Sequence, residues 1–458
     1  MEMMSPADAV FLVGESREHP MHVGGLQLFE PPPGASKDFV RELSEQMAAL
    51  TDFSPTFRKH PATLLGGFAN VGWAVDNELD VGYHLRRSAL PSPGRVRDLL
   101  ELISRLHSTL LDRHRPLWEA HVIEGLQDGR FAVYTKMHHS LVDGVSAIKL
   151  TMRTLSEDPD DTDVRVPWTL PPRRPKKPEG PGPSLLETFT GTVGSAVGSV
   201  MGLAPSTLKI ANAALVKRQL TLPFEAPKTM FNVKIGGARR FAAQSWPLER
   251  FKRVKSAAGV TVNDVVLAMC AGALRAYLLE QNALPEAPLI SMVPVSLRSE
   301  AEANAGGNLV GSVLCNLATD IEDPARRLEV ISASMRGNKE LFAQLPRMEA
   351  LALSALMIAP LGLGAVPGFV ATAPPAFNVV ISNVPGPRKP MYWSGARMTG
   401  DYPVSIVMDG LALNITLVSY DDSLDFGLIG CRRSVPHLQR LLSHLEDALK
   451  DLERAVDV

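Results

Sequence analysis

Cysteine is scarce in this chain. Its 458 residues hold three, Cys270, Cys315 and Cys431, far apart and without a CxxC pair. That pattern excludes a disulfide framework and a structural zinc site, and it fits a reducing compartment. Net charge is almost absent as well. Basic residues number 47 and acidic residues 49, leaving −2, so no global field draws the chain to nucleic acid. The N-terminus, MEMMSPADAVFL, carries Glu2 and Asp8 and lacks the basic start of a secretory signal. No Gly-rich phosphate loop is visible. Residues 350–387 contain no charged side chain and are long enough to span a bilayer. However, Pro360, Pro367, Pro374 and Pro375 break the run, and Gly362, Gly364 and Gly368 weaken it. This stretch and the apolar 193–216 are expected to be buried or to lie on a surface rather than to span. A cytoplasmic location is the simplest expectation.

The length suits two medium domains and a linker. Residues 25–29 (GLQLF), 119–126 and 131–137 have strand character, the last two separated by Gln127-Asp128-Gly129. Residues 38–50 and 96–111 carry apolar side chains at helical spacing, and a short helix is expected near Ser146. From 157 to 183 the chain is dense in proline and charge, which predicts an extended linker. The second half mixes helices over 248–258, 263–279, 324–342 and 436–456 with strands over 289–295, 311–317, 378–382, 412–419 and 424–431. The expected organisation is therefore an α/β domain at 1–157, a Pro-rich linker with crossing helices at 158–226, and a second α/β domain at 227–458. Each would be a mixed α+β sheet with helices on it.

The informative segment is Met137-His138-His139-Ser140-Leu141-Val142-Asp143-Gly144. A strand ends at a His-His pair, and Asp-Gly follows four residues later. A histidine at a strand end is rigidly placed, and its ordinary pKa of about 6.5 suits it to take a proton from a hydroxyl. Gly144 would permit a sharp turn or a positive φ. Spacing alone leaves other readings open. His138, His139 and Asp143 could ligate a metal, or Asp-Gly could be a plain turn beside two ordinary polar histidines.

His138-His139-Ser140-Leu141-Val142-Asp143-Gly144 resembles the HHxxxDG signature of the bacterial wax ester synthase/acyl-CoA:diacylglycerol acyltransferase family. That family is similar to the wider group of CoA-dependent acyltransferases, which includes chloramphenicol acetyltransferase and peptide-synthetase condensation domains. Further blocks extend the likeness in order along the chain: Met21 to Phe29, Arg115-Pro116-Leu117-Trp118, Val262-Asn263-Asp264-Val265-Val266, and Asn378 to Pro387 with Ser382-Asn383 inside it. The resemblance implies two chloramphenicol-acetyltransferase-like domains meeting at a tunnel. It implies acyl-CoA as donor, a fatty alcohol or diacylglycerol as acceptor, and no metal or prosthetic group. Greasy substrates imply a peripheral position at the inner membrane or at lipid inclusions. A related transferase with another acceptor, and a non-catalytic lipid-binding protein, stay open as alternatives; an intact His139 and Asp143 argue against the second.

The same resemblance gives the residues their roles. His139 is the general base. Asp143 resembles a structural aspartate that turns from the site to pair with an arginine, for which Arg298 is the candidate. His138 alternates away from His139 along a strand and is expected to support the loop. A tetrahedral intermediate needs a preorganised donor. Asn263 is the first choice, with Ser382 and Asn383 as further substrate-binding candidates. Against this, Asn263 and Asp264 could simply cap a helix, Ser382-Asn383 could belong to a turn, and Trp118 could be a packing anchor rather than a ligand contact. Arg173, Arg174, Lys176 and Lys177 form a basic cluster that would suit CoA phosphates but reads rather as solvated linker.

Overall fold

The computed structural model describes residues 2–64, 69–170, 221, 223–296, 310–345, 350, 353, 354, 357 and 369–458. The first half runs β1 (Glu2–Met3), α1 (Pro6–Gly14), β2 (His22–Glu30), α2 (Phe39–Ala49), β3 (Lys59–Leu64), β4 (Ala69–Val75), α3 (Val81–His84), β5 (Leu85–Ala89), α4 (Val96–Ser108), β6 (Trp118–Glu124), β7 (Phe131–His138) and α5 (Gly144–Met152). The second runs β8 (Arg239–Pro247), α6 (Leu248–Ala258), α7 (Val262–Glu280), β9 (Ile290–Ser296), β10 (Val310–Asn316), α8 (Pro324–Gln344), α9 (Phe369–Thr372), β11 (Val379–Val384), β12 (Tyr392–Trp393), β13 (Ala396–Val404), β14 (Leu413–Tyr420), β15 (Ser423–Cys431) and α10 (Arg440–Ala455). Two six-stranded sheets result, ordered β12-β13-β2-β7-β6-β5 and β10-β9-β11-β14-β15-β8, beside a small sheet β1-β4-β3.

Strands β6 and β7 are almost wholly buried, as expected of central strands covered on both faces. Helix α4 shows why the halves stay together. Leu99 and Ile103 are completely buried on one face. Ser104 and Ser108, one turn apart, accept the backbone N–H groups of Phe241 and Arg239, each at 2.9 Å. These bonds satisfy the free edge of β8, which would otherwise be open to pairing with another chain. Lys136, buried on β7, donates to the Leu106 and Thr109 carbonyls at the end of α4 and lies 3.1 Å from Glu119. A cation there meets the negative end of the helix.

The expected division at 227 needs correction. Strand β13 leaves the C-terminal half and pairs antiparallel with β2, Tyr402 opposite Leu26, so the later chain completes the earlier sheet. One apolar core runs through both halves, from Leu26 and Ile103 to Val265 and Leu449. The sheets touch where β13 crosses β15. A Cβ on Gly427 would lie 1.9 Å from the Pro403 carbonyl oxygen, so only glycine allows that approach. Asp401 N–H donates to Asp425 Oδ2 at 2.8 Å across the same seam.

The linker expected from 158 is also packed at its start. Trp168 is buried, its indole N–H donates to the Leu50 carbonyl, and its own carbonyl accepts from Ser54 N–H. Residues 171–220, including Arg173, Arg174, Lys176 and Lys177 and the apolar 193–216, lie outside the described residues, as does most of 350–368. Where that second run is described, Ala350, Leu353 and Met357 are buried. Among the described residues, one helix, α7, is long and apolar enough to cross a membrane. Most of α7 is buried among the helices and sheet of the C-terminal half, which is where a soluble fold places such a helix.

Candidate active site

Strand β7 carries His138 and His139 to its C-terminal end. The backbone N–H of His139 donates to the Met21 carbonyl at 2.9 Å, and the carbonyl of His138 accepts from Leu141 and Val142. These bonds fix a tight loop that ends at Asp143. Asp143 then caps α5, accepting the Ser146 N–H at 2.9 Å and the Ser146 hydroxyl at 2.7 Å. Its carboxylate thus serves the helix start, a favoured place for an aspartate. The expected partner Arg298 lies outside the described residues. Gly144 is the first residue of α5 and lacks a positive φ; an added Cβ would make ordinary contact with Val23 at 3.8 Å. The turn expected of it is made by the capped helix instead.

His138 is completely buried. Its Nδ1 accepts from the Ser140 N–H at 3.1 Å, and its Nε2 lies 3.3 Å from Glu15 Oε1. Glu15 also accepts from Met21 N–H and from Arg113 at 3.0 Å. Burial alone would raise the Glu15 carboxyl, but the His138 bond and charge, the Met21 N–H and Arg113 together hold it below the ordinary value. Glu15 therefore ties the residue before β2, the end of β7 and Arg113 into one buried cluster. Sequence reasoning missed it, because a glutamate in GESREHP carries no recognisable spacing. His138 thus faces Ser140 and Glu15 and is not among the described residues lining the cavity of His139.

His139 has different surroundings. Phe11 of α1 stacks on its imidazole, centroids 4.1 Å apart at 24°. Nδ1 is shut in and finds no partner in another residue, so Nε2 is the nitrogen left to meet a ligand. Burial pushes His139 down to about 4 against the pull of Asp143, and the ring is neutral at neutral pH. It lines a cavity of about 380 Å³ shared with Asp8, Asp143, Ser146, Lys149 and Arg153. Burial raises the Asp8 carboxyl, opposed by Ser5 and the Lys59 charge. Lys149 and Arg153 were not singled out in the sequence; the basic cluster weighed there lies in the linker.

The described wall of this cavity comes entirely from the first half of the chain. The other candidates do not reach it. Asn263 is half-buried in the first turn of α7, whose N-cap is Thr261 rather than Asn263. Asp264 closes the capping box, accepting Thr261 N–H at 2.9 Å and lying 3.3 Å from the Ser332 hydroxyl. Ser382 and Asn383 are not in a turn. They sit on β11, aligned with Thr416 and Leu417 of the parallel β14. The reason for their block is visible at its first residue: Asn378 is buried, donates to Pro227 and Asn232, and accepts from Ile290 N–H. Trp118 is not among the described residues lining this cavity. It stacks between His84 at 4.5 Å and Trp168 at 5.0 Å, with its N–H on the Phe57 carbonyl. This stacking is what the packing-anchor reading expects of it. Its π faces are fully used by the core.

Comparison with known proteins agrees with this arrangement along the whole chain. Residues 4–266 match the wax ester synthase/diacylglycerol acyltransferase catalytic domain, and residues 306–453 match the WS/DGAT C-terminal domain. A probable diacylglycerol O-acyltransferase of Mycobacterium tuberculosis is 67% identical over 458 residues, covering 100% of both chains. The O-acyltransferase WSD of Acinetobacter baylyi is 41% identical over 462 residues, covering 100% of this chain and 98% of that one. The solved wax ester synthase/diacylglycerol acyltransferase of Marinobacter aquaeolei VT8 superposes with a TM-score of 0.80 at 44% identity, with complete coverage of both. A condensation domain of the calcium-dependent antibiotic synthetase, 15% identical with a TM-score of 0.55 over 99% of this chain and 96% of its own, shares the fold alone. With a histidine-bearing loop, a double α/β architecture and relatives matched from end to end, the chain belongs to the wax ester synthase/diacylglycerol acyltransferase family.

Proposed function

We propose that the protein transfers a long-chain acyl group from acyl-CoA to a fatty alcohol, to diacylglycerol, or to both. The products are a wax ester and triacylglycerol. The observation that carries this reading is a neutral His139 imidazole on the wall of a cavity, its other nitrogen shut in. His139 Nε2 takes the proton of the acceptor hydroxyl as that oxygen attacks the thioester carbonyl carbon. The tetrahedral intermediate collapses, the C–S bond breaks, and the proton passes to the CoA thiolate. An imidazolium held near 4 gives up its proton readily to a thiolate whose thiol ordinarily titrates at about 8.5. Direct attack needs no acyl-enzyme and no prosthetic group. His138 and Asp143 act on this chemistry by holding the loop, through Glu15 and Ser146 respectively. Asn263, the oxyanion donor that the family blocks suggest, is not among the cavity's described wall residues and keeps that role only if it approaches His139 once substrate is bound. The same reading locates the protein in the cytoplasm, peripheral to a membrane or lipid inclusion where such acceptors reside. Exposed Met3 on β1 and Val13 on α1 suit contact with such a surface.

The test is release of CoA thiol from palmitoyl-CoA with hexadecanol, with diacylglycerol and without acceptor. Wild type should show acceptor-dependent release, and folded His139→Ala should lose roughly 10²–10⁴-fold. Because the base must be neutral to act and its folded value lies well below the ordinary one, kcat/KM should stay flat from pH 8 down to about 5. Undiminished activity in His139→Ala would refute the base, and a limb centred near 6.5 would refute the shielding.

A further inference from the structure

Helix α5 leads away from the histidine loop along the cavity. Its capped N-terminal end stands beside His139, whereas Lys149 and Arg153, at its other end, line the same cavity. Four residues separate them, so both project from one face of the helix. Lys149 is exposed and Arg153 half-buried, which places them toward solvent. At ~1.5 Å per residue, Arg153 lies roughly 15 Å along the axis from Asp143. That span is comparable with an extended pantetheine arm, which separates the thioester of acyl-CoA from its diphosphate. Ser54 and Thr56 add hydroxyl groups to the same wall. Cations at a helix C-terminus commonly serve the helix dipole alone. What distinguishes this pair is its place on the wall of the cavity that holds the base, where an ammonium and a guanidinium are suited to phosphate oxygens.

We propose that Lys149 and Arg153 bind the phosphate end of acyl-CoA, with α5 setting the distance between those phosphates and the thioester at His139. The assignment rests on the transferase reading and names the donor subsite within it. It also gives the cavity a direction: CoA phosphates lie at the solvent mouth and the acyl thioester lies deep.

The experiment compares palmitoyl-CoA with palmitoyl-pantetheine, which lacks every phosphate, using hexadecanol as acceptor. Wild type should prefer the CoA thioester in kcat/KM. In Lys149→Ala/Arg153→Ala that preference should fall at least tenfold, chiefly through KM for palmitoyl-CoA. Lys149→Glu, a change at an exposed position, should lower it too and guards against a double variant that does not fold. Added salt should erode the preference in wild type, because partly exposed charges are screened. Palmitoyl-dephospho-CoA separates the diphosphate from the 3′-phosphate as the group held. A preference that survives in both variants, or a wild type that favours neither thioester, overturns the assignment and leaves the transferase standing. A wild type that turns over neither thioester with any acceptor overturns the transferase reading itself.

Discussion

The paired carboxyls at the seam between the sheets make the stability of this protein depend on pH in a direction that one substitution should remove. Asp401 on β13 is buried, its Oδ2 has no hydrogen-bond partner among the described residues, and its N–H is bound to Asp425 on β15. Burial, then the charge of Asp425, push Asp401 up to about 7; burial pushes Asp425 up to about 6. In the unfolded chain an aspartate titrates near ~3.9. The folded protein therefore holds protons that the unfolded chain has released, and stability falls as pH rises from about 4 to about 7. At ~1.4 kcal/mol per pH unit, the gap for Asp401 sets a ceiling of about 4 kcal/mol. Because the two carboxyls titrate together and water relaxes such sites, about 2 kcal/mol is the working figure. Asp401→Asn keeps the shape and cannot ionise. Its advantage over wild type should grow from about pH 4 upward and reach about 2 kcal/mol at pH 8, or roughly 2 °C in Tm for a chain of this size. Differential scanning calorimetry of both proteins from pH 5 to 8.5 measures this. Taking the difference between them cancels the buried histidines, such as His107, which burial pushes down to about 3 and whose effect has the opposite sign. A difference that does not change with pH, or a variant less stable at pH 8, would refute the reasoning.

Three further outcomes concern packing. Trp118→Ala removes the centre of the stack with His84 and Trp168 and should cost about 3–5 kcal/mol by thermal or urea unfolding; a loss of acyl transfer at full stability would instead return Trp118 to the substrate site. Gly144→Ala should fold normally, with a Tm at or slightly above wild type, since the position is helical and open. Gly427→Ala, facing the Pro403 carbonyl, should fold poorly or not at all, as judged by soluble yield and circular dichroism.

Much of the fold was legible wherever a single element carried its own signal. The run of residues 131–137 alternates and ends in turn chemistry, and β7 is there. The apolar spacing of 324–342 reads as α8, and that of 436–456 as α10, although its first turn begins only at Arg440. What was not legible depends on distant partners. Nothing in Ala396–Val404 says that this strand belongs to the sheet of β2, because strand pairing across the chain leaves no local pattern. Strand β8 was missed because RRFAAQSWP is only half apolar, and its edge is satisfied by two serines of α4 rather than by another strand.

The site divides in the same way. His139 was legible because a strand-end histidine before Asp-Gly is a local arrangement with recognisable chemistry, and the family blocks reinforced it. Asn263, Ser382 and Trp118 were selected from those blocks, and the blocks do not distinguish a residue that touches substrate from one that holds a helix, a strand or a stack. Glu15, Phe11, Lys149 and Arg153 were invisible because each gains its role from folding: Glu15 through its buried approach to His138, Phe11 by stacking on His139, and the two cations by standing along one cavity wall.

Strand β13 also imposes an order on synthesis. Thr399 bonds the Leu28 carbonyl from 371 residues away, so the first sheet cannot close while the chain is still short. At about 5–20 residues per second, β2 waits on the ribosome for roughly 20–75 s with one edge unmatched. Such an edge will accept a β13 from a neighbouring nascent chain as readily as its own. Crowded polysomes should therefore yield strand-exchanged dimers, and a fragment ending before residue 396 should remain a sheet with a permanently vacant place.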